Sequence, residues 1–247
     1  MTSDATNEPY NGGNRLIDCL PPADRDAVSQ RLTMMTADEA STGISRGERI
    51  TAAYFPIDAV FSVLVEVDGG NCYEVDSVGG GGFIGGELLF GVEVASRSVV
   101  CQIGGRFAQM PVAAFEQSMG ELPAFNAAIH RALLLQWYRA QQTIACNFAH
   151  SLLERCARWA ALTHDAVARA EFTFRAEYLS MMLGEQTHVV AEPMAALEAI
   201  GAIRYADDVV TILSDRRLRE AACECYAAPV EYGKHLAARQ VRDRKGL

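Results

Sequence analysis

Ser45 stands at the centre of Gly43-Ile44-Ser45-Arg46-Gly47, the G-x-S-x-G spacing that presents a hydrolase nucleophile on a sharp strand-to-helix turn. That chemistry needs an apolar strand before the serine and a helix after it. Here Asp38-Glu39-Ala40-Ser41-Thr42 precedes it and Glu48-Arg49 leads into a strand, so the segment reads as a loop. Gly80, Gly82 and Gly85 satisfy G-x-G-x-x-G, but they lie between strands with no βαβ unit around them. They read instead as glycines that let a sheet turn sharply. No G-x-x-x-x-G-K-[ST] occurs, which removes a P-loop. His164-Asp165 reads as the end of a helix rather than a catalytic pair. Cys223 and Cys225, with the distant His235, are metal ligands only in principle, because a two-residue spacing in a helical run points the thiols apart. No metal site and no catalytic residue set is expected.

The seven cysteines (19, 72, 101, 146, 156, 223 and 225) are scattered, odd in number and contain no C-x-x-C pair. A disulfide framework or zinc ribbon is therefore not expected, and the thiols read as reduced and partly buried. The 247 residues are half hydrophobic and 21% charged, a globular composition. No run of about 18 apolar residues exists to span a membrane, and no signal sequence opens the chain. With 22 basic and 31 acidic residues the formal charge is −9, which excludes a whole-protein field that attracts nucleic acid. The charge is uneven: residues 1–164 carry −7, residues 165–228 carry −5, and residues 229–247 carry +3.

The elements follow from periodicity. The first dozen residues, ending in Asn11-Gly12-Gly13, read as a frayed leader. Pro21-Pro22 and Asp24 start a short helix. Phe61, Val63, Val65 and Val67 alternate along a strand, Asp68-Gly69-Gly70-Asn71 supplies a hairpin turn, and Tyr73, Val75 and Ser77 resume the alternation. Further strands are expected near 99–103 and 107–110. From Glu121 the period lengthens, with Phe125, Ile129, Leu133, Trp137, Ile144, Phe148, Leu152, Cys156 and Trp159 recurring over about forty residues, roughly 60 Å of helix if unbroken. A helix of that length separates two domains or pairs with its copy. Short helices near 175–183 and 188–201 then precede a hairpin that turns at Asp207-Asp208.

A β-rich amino half, a long helix and a carboxy-terminal winged helix-turn-helix together resemble the Crp/Fnr family of bacterial transcription regulators, from about Asn14 to Tyr226. The most telling pieces are Tyr54-Phe55-Pro56, Thr143-Ile144-Ala145-Cys146-Asn147 and the Ala221 to Tyr226 segment AACECY, which are similar to a subgroup common in alpha-proteobacteria. The resemblance implies an α+β fold with a cyclic-nucleotide-binding-like β-roll at 14–120 and a dimerisation helix at 121–164. A winged helix-turn-helix at 165–228 and a basic tail at 229–247, with Arg239, Arg242, Arg244 and Lys245, would complete it. It implies a cytoplasmic, homodimeric DNA-binding regulator with no enzymatic activity and no membrane contact. RNA polymerase and a small anionic effector such as a cyclic nucleotide are left open as further partners. An iron–sulfur cluster of the oxygen-sensing type is not expected, since only Cys19 lies near the amino terminus. The alternative is a diverged member that binds a ligand or protein partner and no longer binds DNA.

By the same resemblance, Gly86, Glu87 and Leu88 open a phosphate-binding cassette and Arg97-Ser98 closes it. Helix-mouth N–H groups and a guanidinium would hold a phosphodiester, and the Glu87 carboxylate would accept a ribose hydroxyl. Val99 and the extra glycines depart from the pattern, as does the lack of Ser or Thr in Gln136 to Gln141. The recognition helix would begin near Thr187 as its N-cap. Gln186, Thr187 and His188 would then be able to reach base edges, with Ala191 and Glu192 in its first turns. Family members usually carry Arg at the positions of Thr187 and Glu192, whereas no Lys or Arg lies between Arg175 and Arg204 here. Pro193 would cost about 3 kcal/mol inside a helix unless it falls in the first turn.

Overall fold

The computed structural model describes residues 5–67, 70–173 and 175–245, with the side chains of 5–7 and 237–245 left aside. Its elements in chain order are β1 (Ala5–Pro9), α1 (Arg15–Asp18), α2 (Pro22–Ser29), β2 (Thr33–Ala37), β3 (Thr42–Ile44), β4 (Ala52–Pro56), β5 (Val60–Val67), β6 (Asn71–Val78), β7 (Ser98–Ile103) and β8 (Gly105–Pro111). They continue with α3 (Val112–Glu121), α4 (Pro123–Ala149), α5 (Leu152–Val167), β9 (Glu171–Thr173), α6 (Ala176–Leu183), α7 (Ala191–Ala199), β10 (Ile203–Ala206), β11 (Val209–Ile212), α8 (Asp215–Ala221) and α9 (Ala227–Lys245). The chain divides into two compact units, Met1–Leu133 with Asp165–Arg169 and Leu134–His164 with Ala170–Leu247.

The first unit is an antiparallel β-roll of two four-stranded sheets, ordered β1-β2-β8-β4 and β3-β7-β5-β6. The strand alternation read from 61–67 holds only in part. Residues Val60 to Leu64 are all buried, and the pairing with β6 shifts between Val63 and Leu64, so a bulge interrupts the period of two. Six fully buried phenylalanines bind the sheets to the helices: Phe61 meets Phe107 edge-on at 5.5 Å, and Phe115 of α3 meets Phe125 of α4 at 5.9 Å. The expected leader is corrected from Ala5 onward, because Ala5–Pro9 pairs with β2 as an edge strand. The expected turn at Asp68-Gly69 lies outside the described residues.

The glycines of the 79–85 run serve close packing. A Cβ on Gly80 would stand 2.5 Å from the Ile57 carbonyl oxygen, so no other residue fits there. Asn14, fully buried, joins the same region: its Oδ1 accepts from Leu16 N at 3.1 Å while its Nδ2 donates to Pro56 O at 2.7 Å and Gly82 O at 3.1 Å. Asn14→Ala removes the α1 cap and leaves two carbonyls without that donor. The expected loss is about 2–4 kcal/mol of stability, read by denaturant titration.

The forty-residue helix is not continuous. His150 and Ser151 separate α4 from α5 because Ser151-Leu152-Leu153-Glu154 forms a capping box. Glu154 Oε2 accepts from Ser151 N at 2.8 Å, and Ser151 Oγ accepts from Glu154 N at 3.4 Å. His164 therefore sits inside the last turns of α5 rather than at its end, with Nδ1 3.6 Å from Asp215 Oδ1. The second unit adds a three-stranded sheet, β10-β11-β9, behind α6 and α7. Residues 227–245 form α9 over most of the expected basic tail; the side chains of Arg239, Arg242, Arg244 and Lys245 lie outside the described residues. Among the described residues no helix is long and apolar enough to cross a membrane.

Candidate functional site

The cassette is a short 3-10 turn, Gly86–Phe90, bounded by Gly85 at φ +110° and Gly91 at φ +68°. Glu87 Oε1 accepts from Ser96 Oγ at 2.7 Å and lies 3.6 Å from a guanidinium nitrogen of Arg97, whose Nε donates to Ser96 Oγ at 3.3 Å. Burial alone would push the Glu87 carboxyl up. The Ser96 hydroxyl, the Glu87 N–H, the Arg97 charge and the Ser96 N–H outweigh that, and its pKa falls below the ordinary value. Ser98 Oγ accepts from Arg46 N at 3.1 Å, Leu88 is buried, and a Cβ on Gly86 would approach Leu133 Cδ1 to 3.1 Å. The cassette cation is thus matched by the cassette's own carboxylate, and an incoming anion must draw Arg97 away from Glu87.

In the second unit α6 ends at Gly184, whose φ of +66° is the left-handed closure expected of a glycine there. Arg155 donates to the Leu183 carbonyl and Ser180 Oγ to the Glu185 carbonyl, fixing the turn that follows. The helix expected to begin near Thr187 starts later. Residues 187–190 are turns, Val190 is the N-cap without a side-chain bond, and α7 runs from Ala191. Pro193 sets this start. As the third residue of α7 its missing N–H has no intrahelical acceptor to lose, whereas a helix begun at Thr187 would place it in the interior. Gln186, Thr187, His188, Ala191 and Glu192 are all exposed, the first three in the turn and the last two in the first turn of α7.

The exposed face of α7 carries Ala191, Glu192, Ala195 and Glu198, and Glu198 Oε1 accepts from Tyr205 N at 2.7 Å. The hairpin beyond it turns at Asp207 and Asp208, with φ of 52° and 59°, a left-handed pair that Asp tolerates. Burial and the neighbouring Asp208 push the Tyr205 phenol up to about 12. The cations nearby are engaged: Arg204 lies 3.9 Å from Glu171, and Arg217 caps α7 by donating to Ile200 O at 2.9 Å. Glu192, Glu198, Asp207 and Asp208 give this surface an acidic lining.

Helix α4 has two distinct faces. Trp137, Ile144 and Phe148 recur at spacings of seven and four on one of them, and their exposures of 61%, 61% and 90% leave an apolar stripe uncovered. Tyr138, Gln142 and Cys146 occupy the other, and His150 follows the helix's last turn on the same side. Tyr138 stacks on Tyr232 of α9 at 4.5 Å, and Gln142 Nε2 donates to Cys225 Sγ at 3.0 Å.

Here a sequence reading is corrected. Cys223 and Cys225 do not sit in a helical run, because α8 ends at Ala221 and residues 222–226 form a turn. Their thiols converge on α4: Cys223 Sγ lies 3.6 Å from Cys146 Sγ, and Cys225 Sγ 3.7 Å from His150 Nδ1. His235, the histidine weighed from sequence, is exposed on α9 and not part of this group. The fourth member is His150, one helical turn after Cys146. The Cys-x-x-x-His and Cys-x-Cys spacings were visible in the chain, but nothing local joins residues 77 positions apart.

No protein-family model and no curated protein matches the sequence. Solved structures do match. A transcriptional regulator of the CRP family from Thermus thermophilus has 19% identity and a TM-score of 0.63, over 76% of this chain and 95% of its own. FixK2 from Bradyrhizobium japonicum has 12% identity and a TM-score of 0.65, over 78% of this chain and 98% of its own. A putative cAMP-binding regulatory protein from Silicibacter pomeroyi has 17% identity and a TM-score of 0.62, over 84% and 94%. At these identities the likeness is one of fold: the chain has the fold of the CRP/FNR transcriptional regulators.

Proposed function

We propose that the protein is a cytoplasmic, homodimeric, DNA-binding transcription regulator of the Crp/Fnr type. The observation that carries this reading is the α6–turn–α7–hairpin unit, with Gln186, Thr187, His188, Ala191 and Glu192 presented on its exposed side. The apolar stripe of α4 supports pairing through a second copy, as heptad-like seams do. The cassette supports a small anionic effector that competes with Glu87 for Arg97. One observation favours the second reading, a relative that no longer binds DNA: Glu192, Glu198, Asp207 and Asp208 put four carboxylates around the surface that would meet phosphates.

An anisotropy titration with the DNA upstream of its own gene, at low and moderate salt, separates the two. Salt-dependent binding with a shallow slope is expected, because few cations face the duplex. Absence of binding at both salts selects the second reading. Repeating the titration with cyclic nucleotides tests the cassette. A change in DNA affinity that Arg97→Ala abolishes is the expected outcome, and equal affinities in every arm remove the effector.

A further inference from the structure

We propose that Cys146, His150, Cys223 and Cys225 form a zinc site of three thiolates and one imidazole that ties the end of α4 to the turn before α9. One donor atom from each residue lies within 4.8 Å of all the others. Four ligands placed tetrahedrally about 2.3 Å from a zinc ion stand about 3.8 Å apart, against 3.6 Å between the Cys146 and Cys223 sulfurs and 3.7 Å from Cys225 Sγ to His150 Nδ1. Donors this close surround a single ion; an iron–sulfur cluster, in which each iron takes its own thiolates, needs them farther apart.

A zinc-bound histidine almost always donates its remaining N–H to a carboxylate or carbonyl, which fixes the tautomer and orients the ring. His150 turns Nδ1 toward Cys225, while Nε2 stands 3.2 Å from Glu224 Oε1. Glu224 lies between the two cysteines of the turn, so one tripeptide supplies two ligands and the carboxylate that orients a third. Gln142, one turn before Cys146, donates to Cys225 Sγ at 3.0 Å, a bond that a thiolate accepts more strongly than a thiol.

Charge and softness select the ion. Binding converts three thiols to thiolates and releases three protons, so a divalent ion leaves the centre with one net negative charge. Burial raises the Cys146 and Cys223 thiols, the buried Arg158 guanidinium acts on both with the opposite sign, and its Nε has no hydrogen-bond partner among the described residues. Thiolate and imidazole ligands suit zinc and exclude magnesium and calcium, which take oxygen. All four tetrahedral positions are filled by protein, so the site is structural rather than catalytic. It stands on these residues alone and does not depend on whether the protein binds DNA.

The test uses the full chain, purified without a histidine tag under reducing conditions. Elemental analysis is expected to find about one zinc per chain, and cobalt(II) reconstitution to give the visible bands of a tetrahedral sulfur-rich centre. Cys146→Ser and Cys225→Ser are expected to lose the metal, whereas Cys19→Ala, an exposed thiol elsewhere, keeps it. Because the serine variants remove buried groups, Glu224→Gln provides an exposed substitution. It should keep the fold while weakening zinc about 10-fold or more in competition with a chromophoric chelator. Chelation should also lower the thermal midpoint of the wild type. Failure of the wild type to take up zinc or cobalt overturns the proposal. So does metal retained by both serine variants, or a Cys146–Cys223 disulfide in freshly isolated protein that holds no metal.

Discussion

Replacing Ile144 and Phe148 together by Asp is expected to convert the proposed dimer to a monomer at micromolar concentration, read by sedimentation or light scattering. The stripe they share with Trp137 is among the most exposed apolar surfaces of the chain, with Phe148 at 90%. An exposed seam with heptad-like spacing is covered by a parallel copy of itself in a two-fold pair. Two side chains from each of two copies, at roughly 1.5 kcal/mol apiece, contribute on the order of 6 kcal/mol to association. At 1.4 kcal/mol per tenfold, their loss weakens the dimer by at least about a thousandfold, and four buried carboxylates weaken it further. Leu213→Asp, which changes an exposed leucine just after β11, is the control and should leave the dimer intact. An unchanged mass for the double variant would mean that α4 is not the seam. The same substitution lies on the face of α4 opposite Cys146 and His150, so zinc content should survive it.

What was readable in the sequence and what was not divides along the reach of the interactions. The Asp207-Asp208 turn and Gly184 at the end of α6 are local, set by φ preferences within a few residues, and each has its counterpart in the structure. The period of two around β5 is local as well, but a bulge at Val63-Leu64 and full burial of Val60 to Leu64 interrupt it. The break between α4 and α5 was equally local but overlooked, because the apolar period runs through it. Ser151 and Glu154 form the stop signal, and a capping box outweighs continuity of pattern. Pro193 carried its own answer as well: a residue without an N–H belongs in a first turn, which moves the start of α7 to Ala191.

The thiol group was illegible for a different reason. The helical reading of residues 222–226 pointed Cys223 and Cys225 apart, and only the turn between α8 and α9 brings them to one side. Their partners then come from α4, a contact that depends on Tyr138 stacking on Tyr232 and on the packing of the whole second unit. In the cassette the spacing of Glu87 and Arg97 was plain, but the sequence did not say that the two would face each other. A carboxylate and a guanidinium placed for a ligand are also placed for one another, and Ser96 bridges them.

Glu192→Arg is expected to strengthen binding to the upstream DNA by at least about thirtyfold at low salt, and to steepen its salt dependence by about two in the logarithmic slope. Glu192 is exposed in the first turn of α7, and in the proposed DNA complex its carboxylate would face phosphate oxygens of like sign. The substitution removes a repulsion and adds a donor fork that binds guanine or phosphate, worth about 1–3 kcal/mol per contact, and a dimer makes the change twice. Two further neutralised phosphates account for the steeper slope, since each releases nearly one counterion. Glu116→Arg makes an identical change of charge at an exposed position on α3 and separates local contact from overall electrostatics. If Glu192→Arg and Glu116→Arg give the same small increase, α7 does not lie against the duplex and the helix-turn-helix surface serves another partner. If only Glu192→Arg responds, the acidic lining tunes a working DNA reader toward weak binding, and the proposed dimer reaches useful affinity by engaging two half-sites at once.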